Sequence, residues 1–107
     1  MGDAFAHVNE EVIYSRACKK AHSMGKEITF NTLKFFMRFI SLAERDGNGY
    51  YVAKASKVIA TEVLMPERTV SYCLKSLSDC GILLGKRGKP TIWRVDCSVL
   101  NVNEVFP

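Results

Sequence analysis

Arg68, Ser71, Tyr72 and Lys75 stand three or four residues apart in the chain. Wound into a helix they share one face, with Ser76 at its edge. Val70, Cys73, Leu74 and Leu77 fall on the opposite face and form an apolar stripe that calls for burial. A row of cations, hydroxyls and one phenol suits a helix lying in a DNA major groove. An arginine near the start of such a helix pairs with guanine, while lysines and hydroxyls reach phosphates and base edges. Tyr72 is expected on a phosphate or a thymine methyl. Thr69 divides its methyl inward and its hydroxyl outward. A second group, Lys86, Arg87 and Lys89, sits in the glycine-punctuated stretch 85–90. Those side chains suit phosphates or the minor groove. Lys54 and Lys57 are placed to clamp the backbone from a neighbouring helix.

The elements that must hold these residues are legible in 59–82. Ile59 and Ala60 close a short helix onto a core, with Ser56 as its expected N-cap and an end near Val63. Pro66 suits the first turn of the next helix, because its missing N–H costs nothing there. Glu67 complements that helix's positive end, and Gly81 stops it before Ile82. Ile82-Leu83-Leu84 and Thr91-Ile92-Trp93-Arg94-Val95 flank the basic stretch as the arms of a β-hairpin. Trp93 is expected to pack beneath that hairpin as core.

Upstream, residues 1–8 read as a loose leader. A helix over 9–24 is predicted, with Asn9 as its cap and Val12, Ile13, Ala17, Ala21 and Met24 as its apolar stripe. A second helix is predicted over 31–45. Leu33, Phe36, Met37, Ile40 and Ala43 make one of its faces, and Phe35, Phe39 and Leu42 make another. A helix apolar on two sides is buried on two sides. The spacing leaves two covers for the second side: the N-terminal helix, or a second copy in a homodimer through Phe35, Phe39, Leu42 and the N-terminal helix. Asp46-Gly47-Asn48-Gly49 is a turn, followed by a short strand at Tyr50-Tyr51-Val52. The segment from Cys97 onward, with Val99, Leu100, Val102, Val105 and Phe106, reads as a packed tail or an edge strand.

A length of 107 residues suits one domain spanning 1–107. Apolar content of 48% and aromatic content of 10% favour a folded globule over a disordered chain. No apolar run approaches the about 20 residues needed to span a bilayer, and no secretory pattern opens the chain. No membrane partner is therefore expected. Cys18, Cys73, Cys80 and Cys97 form no Cys-x-x-Cys pair, and His7 and His22 lie apart from most of them. Neither a metal site nor a cofactor is expected, and the thiols are read as reduced in a bacterial cytoplasm or nucleoid. No phosphate-binding loop or nucleophile constellation is present, so catalysis is not expected.

The net charge of +4 is unevenly placed. Segment 54–95 carries eight basic and three acidic residues, a net of +5, while the remainder is −1. The excess coincides with the proposed polar helix face and hairpin.

The order of helix, turn, helix and basic hairpin is that of a winged helix-turn-helix. Segment 33–83 resembles the winged-helix domains of phage and plasmid replication proteins and of short phage-type regulators. Leu33-Lys34-Phe35-Phe36, Asp46-Gly47-Asn48-Gly49, Ile59-Ala60, Thr69-Val70-Ser71, Leu74, Leu77 and Gly81-Ile82 carry the likeness. It covers about half the chain. The resemblance implies a mainly α fold with a small β-sheet, in which an extra N-terminal helix (9–24) precedes the first core helix (31–45), the helix-turn-helix (55–81) and the wing (82–96). It also implies sequence-specific double-stranded DNA binding, as a small transcriptional regulator or a phage or plasmid replication-control factor. The rival expectation is a winged-helix protein-interaction module within a larger complex. Two positions depart from the pattern. Leu64 stands where such turns often have glycine, and Ala55 stands where Ser or Thr often opens the first helix of the motif.

Overall fold

The computed structural model describes residues 10–100. Asn9, expected as a helix cap, and Val102, Val105 and Phe106, expected in a tail, lie outside the described residues. Four helices and a small antiparallel sheet follow one another as α1 (Glu10–Ser23), α2 (Phe30–Ile40), β1 (Glu44–Asp46), β2 (Gly49–Ala53), α3 (Ser56–Val63), α4 (Glu67–Asp79), β3 (Leu83–Lys86) and β4 (Ile92–Val95). The sheet order is β1-β2-β4-β3. The β3–β4 hairpin is thus joined to the rest of the sheet through β4, which pairs Trp93 with Val52 on one side and with Gly85 on the other. Among the described residues, no helix is long and apolar enough to cross a membrane.

Helix α2 fills the centre. Its N-cap is Thr29, whose Oγ1 accepts from the Thr32 N–H at 3.2 Å. Thr32 is itself buried, and its hydroxyl is hydrogen-bonded to Thr29 Oγ1 and to Cys73 Sγ on α4. Phe35, Phe36 and Phe39 are 0% exposed. Both faces of the helix are therefore covered within a single chain. Two of the residues expected at a homodimer seam thus lie inside the chain's own core. Phe35 and Phe39 have no surface left for a second copy, and Leu42 packs half-buried on the same core. Helix α1 supplies Ile13, Ala17 and Ala21 to that core. Val12 and Met24, expected in its stripe, are exposed.

Helix α2 stops at Ile40, five residues short of the expected end. Glu44–Asp46 forms β1 instead and pairs with β2 across a tight turn, with Asp46 opposite Gly49. The Asn48 N–H donates to Asp46 Oδ1 at 2.8 Å, which holds the turn. Both flanking expectations shift by one residue. Ala55, not Ser56, occupies the N-cap of α3 and provides no side-chain cap. Pro66 is the N-cap of α4, with Glu67 the first helical residue.

Three helices close in the same way. The N–H of Lys26, Met65 or Ile82 reaches back five residues to the carbonyl of Ala21, Ala60 or Leu77. Each closure needs one left-handed residue just before that N–H. Gly25 and Gly81 take that place without a steric cost, at φ 71° and 73°. At the α3–α4 turn the residue is Leu64, at φ 59° and ψ 45°. The turn keeps its shape, and a leucine carries the strain. Arg38 Nη1 on α2 donates to the Val63 carbonyl at 2.9 Å and fixes the end of α3 beside it.

Candidate nucleic-acid interface

Helix α4 buries Val70, Cys73, Leu74 and Leu77, the four residues expected to face inward. Burial raises the pKa of the Cys73 thiol, and the hydrogen bond from Thr32 partly offsets that rise. Cys80, just past the helix, is also buried, and its thiol is raised by desolvation first and by the nearby Asp79 charge second. Both act as small apolar groups in the core. With the stripe fixed inward, Arg68, Ser71, Tyr72 and Lys75 are exposed, and Tyr72 shows 61% of its surface. Thr69 is half-buried at the edge. The helix places Arg68 and Lys75 two turns apart along its outward side.

The helix is a ridge with a groove on either flank. One groove, about 250 Å³, is lined by Lys26, Glu27, Tyr72, Lys75, Ser76, Asp79 and Cys80. The other, about 340 Å³, is lined by Ser56, Ser71, Leu74, Lys75, Ser78 and Trp93. Lys75 stands on the crest between them.

Lys86, Arg87 and Lys89 are exposed at the β3–β4 hairpin. The hairpin is stiffened where Gly85 faces Trp93. A Cβ on Gly85 would lie 2.6 Å from Trp93 Cζ3, so the indole lies flat against the bare backbone of the opposite strand. Trp93 is therefore half core and half surface, not buried beneath the hairpin as expected.

The structure separates the expected cations into two groups. Lys54 Nζ bonds both carboxylate oxygens of Glu62, at 2.8 and 2.9 Å, and ties the end of β2 to α3. Arg94 makes a bidentate pair with Asp46, at 2.9 and 3.0 Å, and lies 5.4 Å from the centre of the Tyr51 ring. That pair clips β4 to the tip of the β1–β2 hairpin. Its hydrogen bonds hold the Asp46 carboxyl below the ordinary carboxylate range, with help from the Asn48 N–H, and raise the Arg94 pKa in turn. Among the described residues, Arg68, Lys75, Lys57, Lys86, Arg87 and Lys89 form no ion pair. Arg68 is not engaged by Glu67 or Glu62; the Glu62 carboxylate belongs to Lys54.

Sequence reasoning missed Lys26, Ser56 and Trp93 as lining residues, because each reaches its groove from another element only through tertiary packing. It also missed Ser78, although its spacing from Ser71 and Lys75 on α4 places it on the same helix face. Among the described residues, no group of three His, Cys, Asp or Glu side chains is arranged to hold a metal ion. Compared with protein-family models, with curated proteins and with solved structures, the chain gives no significant match.

Proposed function

We propose that this chain binds double-stranded DNA as a winged helix-turn-helix. In this reading α3 and α4 are the two helices of the motif and the β3–β4 hairpin is the wing. Helix α4 enters the major groove with Arg68 and Tyr72 toward base edges, and Lys86, Arg87 and Lys89 meet phosphates beside the adjacent minor groove. One observation carries the reading. Among the described residues, the cations on the crest of α4 and on the hairpin have no ion pair, whereas Lys54 and Arg94 are engaged by Glu62 and Asp46. Free cations on two adjacent elements form the footprint of a polyanion. Docking of this kind suits a small transcriptional regulator or a phage or plasmid replication-control factor, and it involves no chemical step.

The test is fluorescence anisotropy with random-sequence duplex DNA across a salt series. Wild type is compared with Arg68→Ala/Lys75→Ala and with Lys86→Ala/Arg87→Ala. The expected result is salt-dependent binding that both variants weaken, with a salt slope shallower by about two units for Lys86→Ala/Arg87→Ala and by about one for Arg68→Ala/Lys75→Ala, in which only Lys75 meets a phosphate. Absence of binding at low salt overturns the reading and favours a protein-interaction module.

A further inference from the structure

We infer that the groove between α4 and β4 seats the sugar–phosphate backbone of one DNA strand, gripped chiefly by uncharged hydroxyl donors. This inference rests on the DNA-binding reading above. A duplex that takes α4 in its major groove and the β3–β4 hairpin at the adjacent minor groove must pass one strand between them, because that strand is the wall separating the two grooves. In this protein the space between those elements is the 340 Å³ groove.

Its lining suits that occupant. Ser71 and Ser78 are exposed on α4, Ser56 opens α3, and Lys75 stands at the rim. Half-buried Trp93 supplies apolar surface against which a deoxyribose can pack, with buried Leu74 beneath the groove floor. The lining contains three hydroxyls and one ammonium, and no carboxylate. The groove on the other flank of α4 differs at this point, since Glu27 and Asp79 line it and repel phosphate. The hairpin-side groove is therefore the one compatible with a backbone. Ser71 and Lys75 accordingly serve the backbone, leaving Arg68 and Tyr72 to face the bases.

Hydroxyls and cations leave different thermodynamic marks. A hydroxyl that donates to a phosphate oxygen adds affinity but releases no counterion. A lysine at the same phosphate releases one, and only it steepens the salt dependence. The experiment uses anisotropy with duplex DNA over a salt series for wild type, Ser71→Ala/Ser78→Ala and Lys75→Ala. The double serine variant is expected to bind about tenfold more weakly at every salt concentration with an unchanged slope. Lys75→Ala is expected to lose about one unit of slope. Both serines are exposed and alanine is the better helix former, so far-UV circular dichroism should be unaltered.

Trp93, the one tryptophan of the sequence, reports occupancy directly. Its emission should change with the same midpoint as the anisotropy. Wild-type affinity in the serine variant, a slope change in that variant, or flat emission on saturation overturns the inference while leaving DNA binding intact. A wild-type chain that does not bind duplex at low salt overturns the parent reading and this one together.

Discussion

The strain at Leu64 has a size that follows from its surroundings. An L-residue in the left-handed region costs roughly 1–2 kcal/mol. The Leu64 side chain is 84% exposed, so removing it forfeits about a sixth of a leucine's full burial, or roughly 0.2–0.5 kcal/mol. Glycine adds roughly 0.5–1 kcal/mol through the freedom it gives the unfolded chain. Central values leave Leu64→Gly more stable by about 0.4 kcal/mol, or about 2–3 °C in Tm. Leu64→Val moves the other way. Branching at Cβ makes the left-handed region a steric outlier, and the strain rises toward the top of the roughly 1–3 kcal/mol range. A loss of about 1 kcal/mol, or about 4–8 °C, is expected. Leu64→Asn, which tolerates this backbone without the full entropy of glycine, should match or exceed Leu64→Gly. Urea and thermal unfolding followed by circular dichroism give the ranking. A loss of more than about 1 kcal/mol in Leu64→Gly refutes this account, because the side chain would then be contributing packing its exposure denies. Equal stability of Leu64→Val and wild type refutes it as well.

Gly85→Ala forces a methyl into the space held by the Trp93 ring and should cost about 1–3 kcal/mol, read as a lower Tm with red-shifted tryptophan emission. The Asp46 pair predicts a pH dependence. The folded-state pKa of Asp46 lies below the ordinary value of 3.8, so its contribution is fully present above that value and is lost as pH falls through the depressed one. Asp46→Asn should therefore lower the urea midpoint at pH 7 and at pH 5, and the gap from wild type should close as the pH is taken well below 3.8.

Much of the fold can be read from local pattern. Helix α4 is bounded by Pro66 and Gly81, and its four inward residues follow from spacing alone. The double apolar face of α2 correctly implied burial on both sides, but spacing does not name the cover, and the single chain provides it. The end of α2 was less legible. Leu42 and Ala43 continue the helical period, and Glu44-Arg45-Asp46 has no alternation to announce a strand. Those three residues become β1 only because a tight turn brings β2 alongside, a pairing stronger than their own weak propensity. At the candidate interface, the exposure of the α4 face follows from the same stripe. The engagement of Arg94 does not, since its partner Asp46 lies 48 positions away. Leu64 is the reverse case. The chain position matches the glycine of such turns, and leucine is costly in the left-handed conformation found there. The structure keeps the shape because the closing bond from Met65 and the clamp of Arg38 on Val63 over-determine it.

The placement of carboxylates sharpens the functional argument beyond net charge. The surface pairs Lys20–Asp96, Lys54–Glu62 and Arg94–Asp46 each join separate parts of the fold. Exposed pairs of this kind contribute little stability. Their larger effect is to neutralise cations away from the crest of α4 and the hairpin loop. In segment 54–95 that leaves Lys57, Arg68, Lys75, Lys86, Arg87 and Lys89 against only Glu67 and Asp79. Those two acids sit at opposite ends of α4, and none lies in the hairpin loop. Glu67 favours its own helix through the dipole, yet it stands beside Arg68 at the end proposed to face bases. A carboxylate there repels phosphate and weakens indiscriminate backbone binding, while it can still accept a hydrogen bond from a cytosine amino group. Under the DNA reading, the hairpin loop is thus the part that attaches to any duplex. The first turn of α4, with one cation and one anion side by side, is the part that selects among duplexes.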